Sequence, residues 1–209
     1  MSTPTPPILP FTGDPDADAL LVEEPLALLI GFLLDQQITV QQAFIGPLEL
    51  KRRIGSLDAR TIATLDPAQL EAIFRQRPAI HRFPANMARR TAELCRAIAD
   101  TYDGKAERVW LEARDGKDLE TRFLALPGIG EMKARTLIGI VVKRFGVRPQ
   151  GWEDVMPRHP TLADVDSAEA LAAYQAQKRA YQAQLRAEGK TYDPRAMAPT
   201  PSGADAADA

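Results

Sequence analysis

The sequence predicts an all-α fold, and three observations support that prediction. Apolar residues recur every three to four positions along nearly the whole chain, which is the spacing of helices buried on one face. Helix-starting patterns, either a capping residue or a proline, precede many of these segments. Neither an alternating strand pattern nor a hairpin turn between β-branched runs is found. We therefore expect about nine or ten helices and no sheet.

Four helices are predicted in the first half of the chain. Pro25 suits a first helical position, and the following run Leu26–Leu34 is apolar all round, as in a central buried helix. Thr39 begins a capping-box pattern, and Gly55 can close the helix that it starts. Asp66 precedes a proline and starts a third helix. One face of the fourth is marked by Met87, Thr91, Leu94, Cys95, Ile98 and Tyr102.

Three more helices are predicted in the second half. Asp118 can cap a helix that runs through Phe123, and another helix runs from Glu131 to about residue 145. Asp166 is expected to cap a long final helix that ends near Gly189. We expect the folded domain to cover residues 17–190, between a flexible N-terminal arm at 1–16 and a disordered C-terminal tail at 191–209.

Composition excludes several classes of protein. The chain has 209 residues, of which 45% are hydrophobic and 26% charged, so a mainly disordered or fibrous chain is excluded. The longest apolar run, Leu26–Leu34, is too short to span a bilayer, and no signal peptide is recognisable. A single cysteine, Cys95, cannot form an intramolecular disulfide or hold an iron–sulfur cluster. We expect a cytoplasmic protein.

The distribution of charge is more informative than its sum. The formal net charge is −2, but residues 1–30 carry five acids and no base, and residues 191–209 sum to −2. The segment between them therefore carries +5, since −2 + 5 + 2 = +5. A modestly basic body is compatible with contacts to phosphate, and a solvated surface of mixed charge is the alternative.

The segment Leu126-Pro127-Gly128-Ile129-Gly130 is the most specific motif in the chain. It joins two predicted amphipathic helices, and the helices with the turn between them cover about 118–145. Its glycines have no Cβ, so the backbone there can approach another molecule closely. The N-terminal N–H groups of the second helix can bind phosphate. Basic residues on that helix include Lys133 and Arg135. The alternative is a helical corner with glycines for packing.

This string resembles the helix–hairpin–helix of the HhH-GPD superfamily of base-excision DNA glycosylases. Leu33-Leu34-Asp35-Gln36-Gln37-Ile38-Thr39-Val40 resembles a second family segment, where a glutamine enters the duplex. Three stretches, at 34–37 within that segment and at 77–84 and 146–152, together resemble a compact bacterial branch without an iron–sulfur cluster. The resemblance implies a two-lobed helical fold with a cleft between the lobes.

The same resemblance implies how double-stranded DNA containing a damaged base would be held. Backbone amides at Gly128, Gly130 and Lys133 would bind phosphates. Gln36, or else Gln37, would fill the gap left by a flipped base, which chemistry on a base requires. Carbonyls that would hold a structural Na⁺ or K⁺ belong to Leu124, Leu126 and Ile129. We expect no other cofactor, a monomer, and association with a bacterial nucleoid.

The catalytic carboxylate is not marked by a family signature. In the family it follows the second hairpin glycine by about 20–24 residues, a window that contains Glu153 and Asp154 here. The spacing of endonuclease III-like members falls on Glu153, and that of alkyl-base members allows Asp154. Because the shorter carboxylate suits the chemistry better, we expect Asp154, with Glu153 second and an exposed loop carboxylate as the alternative. Trp152 is our candidate for stacking on the flipped base, and alkylated bases are one expected substrate class because electron-poor rings stack well.

The resemblance also predicts the type of reaction. Bifunctional members use a lysine two residues after the second glycine, where this chain has Met132. Lys133 follows one position later, about 100° round the helix. We expect a monofunctional DNA glycosylase, with a non-catalytic DNA-binding protein on the same fold as the alternative.

Overall fold

The computed structural model describes residues 8–190, of which about two thirds are helical and none forms a strand. The all-α prediction is confirmed. The described residues contain eleven α-helices and one short 3-10 helix, slightly more than expected. Their bounds are α1 Pro15–Glu23, α2 Pro25–Leu34, α3 Val40–Ile54, α4 Ala59–Thr64, α5 Pro67–Arg75, α6 Pro84–Tyr102, α7 Arg108–Leu111, α8 Gly116–Leu124, α9 Glu131–Lys143, α10 Trp152–Val155 and α11 Ala168–Ala187, with the 3-10 helix at Leu162–Asp164.

The helices form two groups around a continuous hydrophobic core. In the first group α2 is central: it packs on α1, α3 and α6, and nine of its ten residues are buried. The second group is built on α8 and α9, which contact each other and α10. The 3-10 helix packs on α9 and is followed by α11. None of the helices described here is long and apolar enough to cross a membrane.

Several predicted helix starts are confirmed. Thr39 and Gln42 form the expected capping box at the start of α3, and Asp66 accepts the Gln69 N–H at the start of α5. Pro25 is the first residue of α2. These caps depend only on residues near each other in the chain, so the local pattern suffices to predict them.

Two predicted caps are wrong in position. Asp115, and not Asp118, caps α8, because Asp118 lies within the first turn. Ser167, and not Asp166, caps α11. Residues 8–14 of the expected arm pack onto the domain: Leu9 and Phe11 are fully buried. Residues 15 and 16 of the expected arm begin α1, whereas residues 1–7 and the predicted tail at 191–209 lie outside the described residues.

Candidate functional site

The two sequence motifs meet in space at the C-terminal end of α2. We call residues 35–39, which join α2 to α3, the wedge loop, and residues 125–130, which join α8 to α9, the hairpin turn. An open pocket of about 420 Å³ lies between them. Its walls come from the wedge loop, α6, the hairpin turn and the first turn of α9: Gln36, Arg90, Gly128, Gly130, Glu131, Met132 and Lys133.

The hairpin turn requires glycine at one position for packing and leaves the other open. Gly128 has φ +82°, and a Cβ built on it would lie 2.2 Å from Leu33 Cδ1. Gly130 is the N-cap of α9, and a Cβ there would meet nothing within 4 Å. No side chain caps α9. With no side chain at its N-cap, the start of this thirteen-residue helix presents the positive end of its dipole, which attracts anions.

Lys133 fastens α9 to the end of α2. Its Nζ donates to the carbonyl of Phe32 at 2.5 Å and to that of Leu33 at 3.4 Å. Burial lowers the pKa of Lys133 to about 8, an effect that Asp35 opposes and Arg90 reinforces. The amine thus neutralises the negative end of the α2 dipole while adding positive charge to the pocket wall.

Arg90 is the site residue that sequence reasoning missed. It lies on α6, and its Nη1 donates to Gln36 Oε1 at 2.7 Å. Its Nη2 is 3.5 Å from the position that a Cβ on Gly128 would occupy. An arginine within a long helix carries no local signal of function, so only its approach to the hairpin turn reveals it.

The structure separates the roles of the two glutamines. The Gln36 side chain is held at both ends, because its Nε2 donates to the Leu33 carbonyl at 2.7 Å and its Oε1 accepts from Arg90. Gln37 is exposed and has φ +58°, a left-handed conformation that few residues other than glycine adopt. Of the pair, Gln37 is the side chain that can leave the protein surface without breaking contacts.

His81 connects the wedge loop to the segment before α6. It is only 2% exposed, its Nε2 lies 3.0 Å from the Gln36 carbonyl, and its Nδ1 accepts the Phe83 N–H at 3.0 Å. The ring is therefore neutral, with its proton on Nε2 donated to Gln36. Burial lowers the pKa of His81, whereas hydrogen bonds to the carbonyls of Gln36 and Leu34 raise it.

Because the His81 ring is buried and neutral, we expect the free energy of unfolding to decrease in acid. Since the folded-state pKa is depressed, acid protonates the unfolded chain first, from about pH 6.5 downward. The free energy of unfolding should therefore decrease below that pH, by up to about 1.4 kcal/mol per pH unit, and level off once the folded ring also protonates. Urea titrations between pH 7.5 and 5 should show this component in the natural protein and not in His81→Gln. Identical pH profiles for the two proteins would contradict it.

Residues 30–188 match the family model of the HhH-GPD superfamily base excision DNA repair protein. The chain belongs to this superfamily. Neither the search of curated proteins nor that of solved structures finds a significant match. Because the match covers both the wedge loop and the hairpin turn, this HhH-GPD protein is a DNA-binding protein of base excision repair.

Other predicted site residues of this HhH-GPD protein lie away from the pocket. Glu153 and Asp154 are exposed on α10, which packs against the start of α8, the end farthest from the hairpin turn. A Cβ on Gly116, the first residue of α8, would lie 2.3 Å from the Gly151 carbonyl. As α8 has nine residues and rises about 1.5 Å per residue, roughly 12 Å of helix separates its two ends. The catalytic assignment to α10 stays a prediction.

Trp152 and Arg135 are also engaged elsewhere. Trp152 is partly buried against the core, and the Arg148 guanidinium lies 5.4 Å from its ring centroid. Arg135 is paired with Glu131 at 3.2 Å and Glu120 at 3.7 Å. Two carboxylates compete with phosphate for that guanidinium, so the structure does not strengthen its predicted role in binding DNA.

The three carbonyls implied for a monovalent ion all belong to the hairpin turn or its edge. Leu126 and Ile129 are buried, and the Leu126 carbonyl accepts the Ile129 N–H at 3.1 Å, which leaves one of its lone pairs free. Leu124 is 43% exposed at the end of α8. Hard carbonyl oxygens suit Na⁺ or K⁺. Such an ion would stabilise the turn, and it stays a prediction.

Proposed function

We propose that this HhH-GPD protein is a monofunctional DNA glycosylase that hydrolyses the N-glycosidic bond of a flipped, damaged base in double-stranded DNA. The observation that carries the proposal is the convergence of the wedge loop, the uncapped start of α9 and the cations Arg90 and Lys133 on one pocket. The protein would act as a monomer, with a monovalent ion at the hairpin turn and no other cofactor.

The pocket and the neighbouring wedge loop suit two steps of the reaction. The N–H groups of α9 and the Arg90 guanidinium attract phosphates next to the lesion. Gln37 enters the gap left by the flipped base and offsets part of the unstacking energy, a few kcal/mol per step. Alkylated bases are one substrate class, because their positive charge weakens the glycosidic bond and favours stacking on aromatic rings.

Base release from defined duplexes tests the function. Single duplexes would carry uracil, 3-methyladenine, 1,N6-ethenoadenine, 8-oxoguanine or a thymine-glycol analogue, and alkali would reveal abasic sites after incubation. Release from any of them supports a glycosylase and identifies the lesion class. Duplex binding without release from any of them would favour the alternative, a non-catalytic DNA-binding protein. The exposed position of Glu153 and Asp154 on α10 is the observation that favours that alternative.

The reaction should stop at the abasic site. Met132 is 46% exposed at the position of the family's Schiff-base lysine, and the Lys133 amine is held by α2 carbonyls. We expect no strand cleavage without alkali and no covalent adduct after borohydride treatment of the protein with lesion DNA. A trapped adduct that disappears in Lys133→Met would show instead that Lys133 can leave the α2 carbonyls and attack the sugar.

Arg90→Gln should weaken duplex binding by about tenfold, because it removes one phosphate contact, and should reduce the slope of log Kd against log salt by about 0.9. Arg89→Gln is the matched control: Arg89 is the next residue of α6, pairs with Glu93 at 2.5 Å and does not line the pocket. Fluorescence anisotropy over a salt series measures both quantities. Equal salt slopes for the two variants would contradict the assignment.

A further inference from the structure

Arg53 is a nearly buried cation that holds the chain between α5 and α6. We call residues 76–83 the α5–α6 linker. Arg53 lies in the last turn of α3, and its side chain is only 9% exposed. Its Nη1 donates to the Ile73 carbonyl at 2.8 Å and to the Gln76 carbonyl at 3.1 Å, and its Nη2 donates to the Pro78 carbonyl at 2.6 Å. One guanidinium thus fastens the end of α5 and the start of the α5–α6 linker to α3.

These contacts suit arginine and not lysine. The planar fork of a guanidinium presents several N–H groups in fixed directions, whereas a lysine amine is a single point charge. Carbonyls at the end of a helix carry the negative end of its dipole, so a cation beside them is stabilised. Glu49, one turn earlier in α3, pairs with Arg53 Nη2 at 3.1 Å and orients the guanidinium. Arg53→Lys therefore keeps the charge but should loosen the α5–α6 linker.

The other end of the α5–α6 linker holds the wedge loop. His81 Nε2 donates to the Gln36 carbonyl at 3.0 Å. A cavity of about 730 Å³ lies between the α5–α6 linker and the wedge loop, so hydrogen bonds at its edges contribute more to their spacing than packing does. The Gln36 carbonyl belongs to the planar peptide unit directly before Gln37. The contact with His81 therefore fixes the plane relative to which Gln37 adopts its φ of +58°.

We propose that Arg53 and His81 are positioning residues that keep Gln37 in the conformation that enters the duplex, an inference that rests on the proposed function. A left-handed backbone at a residue other than glycine persists where the surrounding structure holds it. Arg53 fixes the α5–α6 linker to α3, and His81 transmits that position to the peptide unit before Gln37. Loosening the α5–α6 linker should therefore weaken only the contribution that Gln37 makes to binding and base release.

The test is a double-mutant cycle between Arg53→Lys and Gln37→Ala. The probe is a duplex with a tetrahydrofuran abasic-site analogue, whose gap Gln37 can fill without any catalysis. By fluorescence anisotropy, we expect Arg53→Lys to weaken this complex by about tenfold in the natural background and by less than about twofold in Gln37→Ala. Affinity for an undamaged duplex should stay unchanged. Arg52→Lys is the matched control, since Arg52 is exposed on α3 and pairs with Asp16 and Glu49 instead of the α5–α6 linker.

Single-turnover base release gives a second readout on a duplex that the natural protein cleaves. Arg53→Lys should slow release by about tenfold when Gln37 is present and by less than about twofold in Gln37→Ala. Thermal unfolding of every variant shows that it is folded at the assay temperature. If Arg53→Lys does not fold, Glu49→Gln and His81→Leu replace it in the same cycle, and we expect their effects to depend on Gln37 in the same way.

The two readouts distinguish failure of this inference from failure of the proposed function. Equal losses in the natural and Gln37→Ala backgrounds, or no loss in either, would show that Arg53 is merely structural and would overturn the proposal. The tetrahydrofuran measurement needs no turnover, so it decides the positioning role even if no base is released from any duplex. In that case the glycosylase function fails by itself, and a dependence on Gln37 in binding still supports the roles of Arg53 and His81.

Discussion

Gly128→Ala should destabilise the protein by about 2–5 kcal/mol, combining about 1–2 kcal/mol for a left-handed alanine with about 1–3 kcal/mol for overpacking. The overpacking arises because the new Cβ would lie 2.2 Å from Leu33 Cδ1. Relief of that clash moves the hairpin turn away from α2, so duplex affinity should fall as well. Urea unfolding and anisotropy measure the two effects.

Alanine substitutions at two other glycines distinguish the cost of a left-handed backbone from the steric clash with Leu33 and from the approach of the backbone to a phosphate. Gly13 has φ +80° with nothing within 4 Å of a built Cβ, so Gly13→Ala should show the conformational cost alone. Gly130→Ala should leave the unfolding free energy nearly unchanged, because the space is open, yet weaken DNA binding where the backbone must approach a phosphate. Equal destabilisation by Gly13→Ala and Gly128→Ala would contradict the contact with Leu33.

Gln37→Ala should reduce the rate of base release by about 10- to 100-fold, which corresponds to about 1.4–2.8 kcal/mol in activation free energy. The reason is that alanine is too short to fill the gap left by the flipped base, so the cost of unstacking is no longer offset. The fold should tolerate the change, since Gln37 is exposed, and Gln37→Gly should be at least as stable because its φ is +58°. Single-turnover release on a lesion duplex is the measurement.

Gln69→Ala is the control, as Gln69 is exposed on α5. Gln36→Ala should behave differently from Gln37→Ala: it removes the acceptor of Arg90 and lowers the free energy of unfolding. If Gln36→Ala loses base release at unchanged stability while Gln37→Ala keeps it, the roles of the two glutamines are reversed.

Much of the fold follows from local sequence. The burial of α2 follows from an apolar run without a polar face, and the Thr39 capping box and the Asp66 cap follow from residues three positions apart. The errors are also local. Asp115 and Asp118 can both cap α8, and Ser167 and Asp166 can both cap α11. Which residue becomes the N-cap depends on where the preceding chain enters the helix.

Of the candidate site, the sequence predicts only the residues that belong to the two motifs. Gly128, Gly130 and Gln36 were recognisable because backbone approach and a family pattern constrain the residue type at each position. Arg90 and the buried His81 were not assigned, because their significance depends on partners 54 and 45 residues away. Counting along the chain places Asp154 in the family's window, but it does not predict to which end of α8 the chain returns.

The sequence by itself determined that this protein is helical, where its hairpin lies and to which superfamily it belongs, because helix periodicity and tight turns are properties of neighbouring residues. Only the tertiary structure decided which glutamine is held by hydrogen bonds and which is exposed, and which cations line the pocket. The physical reason is that burial, dipoles and charge pairing act through space. Residues 36, 90, 128 and 133 become neighbours only when the two helix groups pack together.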